Sequence, residues 1–298
     1  MNKESIIKLL KLFLKISVSS VALYFVFRSV NIRDIYNLLK NSEYWLLFPT
    51  LFLYLVSKYI TAIRFKRFLK VINLDISDAL NFRLYLLGMY YNLLLPGGVG
   101  GDGYKVYYLN KLFKSPLKSL LSLSIIDRVS GMVAILLLGE LCGVFLFNNN
   151  SVLFCLSLFS IPATLAAFWG GLYLFYNNYL TVFYKTTLQS LAGQFLQVVC
   201  VVLLLVLIGI KQDYLPYLFI FLVSSIVAAF PFTIGGIGAR ELTFLYGAEF
   251  FHLDMSASVT VSMLFYMLTA TSSLCGIYFG IFPEKVYVRE KQFDNSNS

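Results

Sequence analysis

Two short glycine-rich clusters bring together residue types that could bind an anionic group. Residues 96–105 read PGGVGGDGYK, and residues 231–240 read PFTIGGIGAR. Both clusters fit the pattern Pro-x-x-[Val/Ile]-Gly-Gly-x-Gly-x-[Lys/Arg] without a gap, at an offset of 135 residues. Agreement of this kind is improbable by chance, so the clusters indicate an internal repeat.

The chemistry of such a cluster follows from its backbone. Proline tends to end the helix before it, and glycine permits positive φ and close approach of a ligand. A half-helix that restarts after Gly103 or Gly238 would present free N–H groups, which attract anions such as phosphate. Lys105 and Arg240 lie just beyond each cluster and would add full positive charge. The cluster residues for which we predict substrate binding are Gly100, Gly101, Asp102, Lys105, Gly235, Gly236, Arg240 and Glu241.

The glycines could instead have a purely structural role, because glycine also lets two helices pack tightly where they cross. Two matched clusters with a basic residue at the same position favour the binding role over this alternative. Glu241 directly follows Arg240 and could orient its guanidinium through a hydrogen bond.

Asp127 and Arg128 complete the set of predicted substrate-binding residues. They lie within a long apolar run, where an ionisable residue costs about 2.5–3.5 kcal/mol on insertion scales and is a functional candidate. Neighbouring helix residues do not face each other, so their partners should come from other segments. The candidates are Asp102 or Glu241 for Arg128, and Lys105 or Arg240 for Asp127. A structural ion-pair network and a lipid-contact role are both compatible with this arrangement.

The elements that hold these residues are predicted to be membrane helices. Apolar residues make up 59% of the 298-residue chain and charged residues 13%, whereas soluble domains average about 45–50% and about 25%. This composition excludes a soluble globular protein and a disordered chain. Six apolar runs are long enough to span a bilayer, and two shorter stretches end at the clusters. The six runs are 10–27, 44–63, 119–147, 152–175, 190–210 and 256–282, and the shorter stretches are 79–95 and 216–230.

The order of these segments predicts an inverted repeat. Each half reads span, span, hairpin, span, and an odd number of spans per half would insert the second half upside down. The predicted fold is an all-α polytopic membrane protein with about six transmembrane helices and two re-entrant half-helix hairpins in an inverted-topology repeat. It forms a single membrane domain over 1–283, with repeat one at about 10–147 and repeat two at about 152–283. A polar cytoplasmic tail follows over 284–298.

The distribution of basic residues predicts the orientation. With a cytoplasmic N-terminus, 16 of the 24 basic residues, Arg64 among them, fall in cytoplasmic segments and 4 fall outside. The positive-inside rule therefore favours cytoplasmic N- and C-termini in a multi-pass protein of the cell membrane. The basic residues are scattered over separate loops, which argues against nucleic-acid binding. Four cysteines in apolar runs and a single histidine predict neither a metal site nor a cofactor.

Three segments resemble a known family. Residues 95–102 (LPGGVGGD), 124–131 (SIIDRVSG) and 231–241 (PFTIGGIGARE) are similar to motifs of the lysylphosphatidylglycerol synthase transmembrane-region family, whose members are often described as flippase-like. In its best-known members, this membrane domain moves aminoacylated phosphatidylglycerol between leaflets, and a cytosolic domain transfers the lysine. The sequence ends near 298 without that transferase domain, so lysyl transfer is not expected.

The resemblance and the residues together predict a lipid translocase. Its substrate would be an anionic or phosphate-bearing lipid, such as aminoacylated phosphatidylglycerol or a polyprenyl or glycosylated lipid. The expected partners are membrane lipids, with a homo-oligomer or a separate lipid-synthesising enzyme as further candidates. Two alternatives remain open, namely an integral-membrane enzyme acting on a lipid phosphate and an accessory subunit of an envelope glycolipid pathway.

Overall fold

The computed structural model describes residues 32–94, 100–230 and 236–282, together with Ser17 and Tyr24. The described chain is built from helices and contains no strand, which confirms the predicted all-α fold. The helices in chain order are α1 (Ile32–Lys40), α2 (Leu47–Val71), α3 (Asp78–Leu94), α4 (Gly100–Phe113), α5 (Leu117–Leu146), α6 (Ser151–Phe175), α7 (Phe183–Leu207), α8 (Tyr214–Ala229), α9 (Ala239–Phe250), α10 (Met255–Leu274) and α11 (Ile277–Ile281). Short 3₁₀ segments at Tyr44–Leu46 and Asn177–Val182 lead into α2 and α7.

Five of the described helical segments are long and apolar enough to cross a membrane, and they correspond to five of the six predicted spans. They are Tyr44–Val71, Leu117–Leu146, Ser151–Phe175, Asn177–Leu207 and Met255–Leu274. The sixth predicted span, 10–27, and the tail, 284–298, lie outside the described residues.

Three predicted boundaries were wrong. Helix α2 continues eight residues past the predicted end at 63, because the basic residues there extend the helix rather than begin a loop. The segment predicted as 190–210 begins well before residue 190, since polar residues of α7 are buried in the protein. The last span ends at Leu274, just before Gly276, where an added Cβ would lie 2.1 Å from the Leu86 carbonyl oxygen of α3.

The two shorter apolar stretches each form a helix that packs against the next helix. In the first pair, α3 and α4, an added Cβ on Gly101 would lie 1.8 Å from the Gly88 carbonyl oxygen. In the second pair, α8 and α9, Gly236 has φ of +85° and lies against Ala228. Both pairs therefore meet closely beside the glycine clusters. The connecting residues 95–99 and 231–235, including the predicted site residue Gly235, lie outside the described residues.

The helices surround a buried centre formed largely by α2, α5 and α7. Helix α2 packs against α7 over much of its length, and their buried faces carry small and polar residues such as Ser57, Thr186 and Ser190. Helix α6 lies at the periphery against α5 and is largely exposed. Polar side chains are thus concentrated where α2, α5 and α7 meet.

Candidate functional site

A charged cavity lies among the central helices. Its volume is about 300 Å³, and six helices line it, namely α2, α3, α4, α5, α7 and α8. Its ionisable lining residues are Lys58, Arg64, Tyr85, Asp102, Lys105, Asp127 and Arg128. Asp102 and Lys105 of the first cluster and the pair Asp127 and Arg128 therefore meet at one cavity.

Arg64 and Asp127 form a buried ion pair at this cavity. The Arg64 Nε donates to Asp127 Oδ1 at 2.9 Å, and Nη2 donates to the Asp127 backbone carbonyl at 2.9 Å. The remaining guanidinium nitrogen, Nη1, donates to Ser190 Oγ of α7 at 2.8 Å. Arg64 was expected in a cytoplasmic segment after a span that ends at 63, whereas the structure places it within helix α2, buried beside this carboxylate and hydroxyl. The expected partners of Asp127, Lys105 or Arg240, were also wrong.

Asp102 forms a second ionic cluster. Its Oδ1 lies 2.9 Å from Lys105 Nζ, and its Oδ2 accepts a hydrogen bond from Arg128 Nη2 at 3.1 Å. The predicted contact between Arg128 and Asp102 is confirmed. As expected from helix geometry, the adjacent residues Asp127 and Arg128 reach different partners, one on α2 and one on α4.

Two lysines of the cavity lie over aromatic rings. Lys105 Nζ is 4.4 Å from the ring centre of Phe65 and 5.3 Å from that of Tyr85. Lys58 Nζ is 4.6 Å from the ring centre of Tyr54. Aromatic faces attract cations and reduce the cost of burying them. Within the described part of the chain, Lys58 has no carboxylate within ion-pair distance.

The charges of the lining leave an excess of positive charge. Four basic residues face two carboxylates, so the cavity carries a formal charge of +2 when all six groups are ionised. Asp127 forms an ion pair with Arg64, and Asp102 forms ion pairs with both Lys105 and Arg128. Lys58 therefore remains as a half-buried cation that an incoming anion could neutralise. This arrangement suits the binding of a phosphate or carboxylate group.

The second helix pair, α8 and α9, contributes differently. Arg240 does not line the cavity, and its guanidinium carbon lies 4.9 Å from the ring centre of Phe265 and 5.8 Å from that of Phe221. Its buried Nη1 has no hydrogen-bond partner among the described residues. Arg240 is close enough to Lys58 for their positive charges to repel each other. Arg240 therefore adds positive potential behind the cavity wall.

Glu241 caps α9. Its Oε2 accepts a hydrogen bond from the Gly238 backbone N–H at 2.7 Å, and its Oε1 accepts one from Ser262 Oγ at 3.2 Å. Both carboxylate oxygens of Glu241 therefore accept hydrogen bonds from groups other than the Arg240 guanidinium. The geometry assigns Glu241 a structural contact, instead of the expected hydrogen bond to Arg240.

The glycines also have packing contacts. Gly101 is buried against α3, and its backbone N–H donates to Asn92 Oδ1 at 2.8 Å. Gly100 is partly buried at the first residue of α4, and Gly236 is buried just before α9. These positions hold the two helices of each hairpin together, so the packing role accounts for Gly101 and Gly236 without a ligand.

The sequence model of one protein family matches residues 12–195, which is more than half of the chain. The family is described as the lysylphosphatidylglycerol synthase transmembrane region. The chain belongs to this family. None of the curated proteins compared with the chain matches it significantly.

Membership of the lysylphosphatidylglycerol synthase transmembrane-region family confirms the resemblance and places the protein in a lipid-related membrane family. The matched segment contains α3 and α4, Asp127 and Arg128, and Arg64, which is the ion-pair partner of Asp127. The second cluster lies beyond it.

The cavity residues that sequence reasoning missed as site residues include Lys58, Arg64, Tyr85 and Asn92. A signal for two of them is present in the sequence. Lys58, Thr61 and Arg64 recur every three residues, so they share one face of α2, and all three line the cavity. Tyr85 and Asn92 carry no comparable signal, because tyrosine and asparagine are frequent throughout the chain.

Proposed function

We propose that the protein is a lipid translocase that moves an anionic or phosphate-bearing lipid between the leaflets of its membrane. The observation that carries the proposal is a cavity of about 300 Å³ among membrane-spanning helices, lined by four basic residues and two carboxylates. Ionisable groups at membrane depth are costly and mark substrate or ion pathways. The lipid headgroup would bind in this cavity while the acyl chains stay in the bilayer.

The ionic arrangement supports an anionic group as the substrate. Lys58 is a half-buried cation without an ion-pair partner among the described residues, and Arg240 lies nearby with an unpartnered nitrogen. A phosphate would neutralise Lys58 and reduce its repulsion with Arg240. The buried ion pair between Arg64 and Asp127 would remain intact when the phosphate binds, and it would hold α2 and α5 in place beside the cavity.

The depth of the first hairpin supports a central site. Asp102 contacts Arg128, which lies 11 residues into the 30-residue helix α5, or about 16 Å along it at 1.5 Å per residue. The N-terminus of α4 is therefore level with the middle of a membrane-spanning helix. Helix α4, with 14 residues, is about 21 Å long and shorter than the ~30 Å hydrocarbon core. These dimensions favour a re-entrant hairpin.

Alternating access would follow from movement of one repeat against the other. Paired, glycine-interrupted helices in corresponding positions are typical of inverted-repeat transporters, whose substrates bind near the membrane midplane. The hairpins α3–α4 and α8–α9 occupy such positions in the chain, and Ala228 and Ala229 of α8 line the cavity. Both hairpins are thus placed to change the access to the headgroup.

Reconstitution into liposomes tests the proposal. The purified protein is incorporated into vesicles that contain fluorescent phosphatidylglycerol, phosphatidylcholine or polyprenyl phosphate, and an impermeant reductant measures the labelled lipid in the outer leaflet over time. We expect faster exchange of an anionic lipid than in protein-free vesicles. A lack of acceleration for every lipid, with and without an imposed pH gradient or membrane potential, would rule out the translocase.

Two variants on helix α2 test whether lipid exchange depends on the charged cavity. Lys58→Gln removes the unpaired cation, and we expect exchange of the anionic lipid to fall about tenfold, since a hydrogen bond to a charged group contributes about 1.5–3 kcal/mol. Lys70→Gln is the control, because Lys70 is on the same helix but exposed and paired with Asp75 at 3.2 Å. Equal loss in both variants would argue against the cavity as the binding site.

A further inference from the structure

The residues that line the charged cavity indicate how much negative charge a ligand must bring. Four basic residues and two carboxylates give a formal charge of +2 when all six groups are ionised. The ion pair between Arg64 and Asp127 is neutral. One unit of the excess therefore belongs to Lys58, which has no carboxylate within ion-pair distance among the described residues. A ligand that neutralises Lys58 alone leaves the other unit uncompensated.

The second unit belongs to the cluster around Asp102. This one carboxylate contacts two cations, with Oδ1 2.9 Å from Lys105 Nζ and Oδ2 3.1 Å from Arg128 Nη2. The Lys105 side chain is 6% exposed and that of Arg128 is 30% exposed, so Arg128 is the cation of this cluster that a ligand in the cavity can reach. A guanidinium binds phosphate oxygens in a bidentate manner. Lys58 and Arg128 are therefore the two cations that an incoming group would meet.

The second helix pair does not compensate this excess. Arg240 of α9 lies behind the cavity wall, close enough to Lys58 to repel it. The carboxylate of the next residue, Glu241, accepts hydrogen bonds from two uncharged groups. Among the described residues that line the cavity, the two carboxylates already counted are the only acidic groups. The remaining negative charge must come from a ligand.

Uncharged donors complete the lining. Asn92 lines the cavity, and its Oδ1 accepts a hydrogen bond from the Gly101 backbone N–H at 2.8 Å. The amide nitrogen is therefore the group that Asn92 can offer to a ligand. Gln194 of α7 lines the same cavity and also carries an amide nitrogen. Donors on several helices suit a phosphate with three unesterified oxygen atoms better than one with two.

We propose that the charged cavity selects a lipid phosphomonoester, which is a bare phosphate on a lipid tail, over phosphodiester lipids. A phosphodiester such as phosphatidylglycerol brings one negative charge, whereas a phosphomonoester brings about 1.5–2 at pH 7. The dianion therefore matches the excess charge of the lining. A volume of about 300 Å³ is at the lower end for ligand pockets, which suits so compact a headgroup. This inference rests on the proposed lipid translocation and names the substrate class of the same site.

Competitive binding to the full chain tests the selectivity. The purified protein in detergent receives equal amounts of phosphatidate and phosphatidylglycerol with identical acyl chains, and native mass spectrometry measures which lipid is retained. We expect about tenfold more phosphatidate, because the second charge strengthens the hydrogen bonds to Lys58 and Arg128. Equal retention of the two lipids, or a preference for phosphatidylglycerol, would overturn the proposal.

The pH of the binding reaction separates charge from headgroup size. Phosphatidate loses its second charge on acidification, whereas phosphatidylglycerol keeps its single charge and reports any effect of pH on the protein. The second ionisation of phosphatidate is measured in the same micelles by phosphorus NMR. We expect the preference for phosphatidate to follow this ionisation and to disappear when the lipid is a monoanion. A preference that does not change with pH would mean that size, and not charge, is selected.

Variants of Lys58 connect the selectivity to the lining. Lys58→Gln lowers the formal charge of the lining by one, so we expect it to retain the two lipids almost equally. Lys58→Arg keeps the charge and should keep the preference, as should the control Lys70→Gln on the exposed part of α2. A folded Lys58→Gln protein that still prefers phosphatidate about tenfold would contradict the assignment of the second charge.

Two further measurements identify the source of the phosphate and separate this inference from the translocase. Free phosphate shares the chemistry of the headgroup, so displacement of bound phosphatidate by inorganic phosphate would show that the cavity takes the free anion and would overturn the lipid assignment. We expect no displacement. In liposomes, preferential retention of phosphatidate without lipid exchange would refute translocation but support the selectivity of the cavity. Equal retention and equal exchange of both lipids would refute the selectivity and leave the translocase intact.

Discussion

Arg64 on α2 and Asp127 on α5 are joined at two points, through the carboxylate and through the backbone carbonyl of Asp127. The same guanidinium reaches Ser190 on α7, whose hydroxyl also lies 2.7 Å from that of Ser130. One arginine therefore ties together the three helices that form the buried centre. The charged cavity is built around a fixed ionic framework, and its unpaired cation is a different residue, Lys58.

We predict that Asp127→Asn destabilises the protein by about 3–5 kcal/mol, because it leaves the Arg64 charge buried and uncompensated. The double variant Arg64→Met/Asp127→Leu should recover much of this loss, since apolar replacement of a buried pair is often neutral. Unfolding in detergent micelles measures both. The exposed pair of Lys70 and Asp75 provides the control, for which Lys70→Ala should cost about 0–1 kcal/mol. Wild-type stability of Asp127→Asn would contradict the framework role.

The close packing of α3 against α4 depends on the absence of a side chain at Gly101. Gly101→Ala places a Cβ 1.8 Å from the Gly88 carbonyl oxygen, so we expect a loss of about 1–3 kcal/mol as α3 and α4 are forced apart. Gly103→Ala lies on the same helix with no atom within 4 Å of the added Cβ. It should be neutral or stabilising, because alanine has the higher helix propensity. Similar melting temperatures for the two variants would show that the close approach is not required.

The sequence predicts the membrane helices and part of the site for clear physical reasons. Length and apolar composition identify the spans, and the glycine clusters locate the ends of both helix pairs. The contact between Arg128 and Asp102 was among the expected pairs, because both are ionisable residues in apolar or glycine-rich segments. The spans and the helix ends are determined by the sequence of their own segments. Arg128 and Asp102 are likewise each marked as ionisable by the apolar or glycine-rich segment that contains them.

Residues that depend on partners distant in the chain were not predicted. Arg64 lies at the end of an apolar run beside other basic residues, which is typical of a loop residue. Its burial depends on hydrogen bonds to Asp127 and Ser190, which are 63 and 126 positions away. Lys58 lies within the predicted span 44–63, and nothing in that run marks it as part of the site. Its environment is set by Tyr54 and by the second hairpin, whose packing no single segment reveals.

Glu241 tests whether a predicted binding residue is structural. Glu241→Gln keeps an oxygen that can accept from the Gly238 N–H, whereas Glu241→Ala leaves that buried donor unpaired at a cost of about 1–3 kcal/mol. We therefore expect Glu241→Gln to be nearly as stable as the wild type and to retain lipid exchange, and Glu241→Ala to unfold earlier. Loss of exchange in a stable Glu241→Gln protein would instead show that its charge contacts the substrate.

The proposed re-entrant arrangement of α3 and α4 predicts a specific labelling pattern. Single cysteines at Gly100, Ser115 and Asn149, in a background without the four native cysteines, are exposed to an impermeant maleimide in sealed vesicles. Gly100 starts α4 two residues before Asp102, which is level with the middle of α5, whereas Ser115 and Asn149 lie beyond opposite ends of α5. We expect Ser115→Cys and Asn149→Cys to be labelled from opposite sides, and Gly100→Cys to react slowly from either side. Labelling of Gly100→Cys as fast as Asn149→Cys and from the same side would mean that α3 and α4 cross the whole membrane.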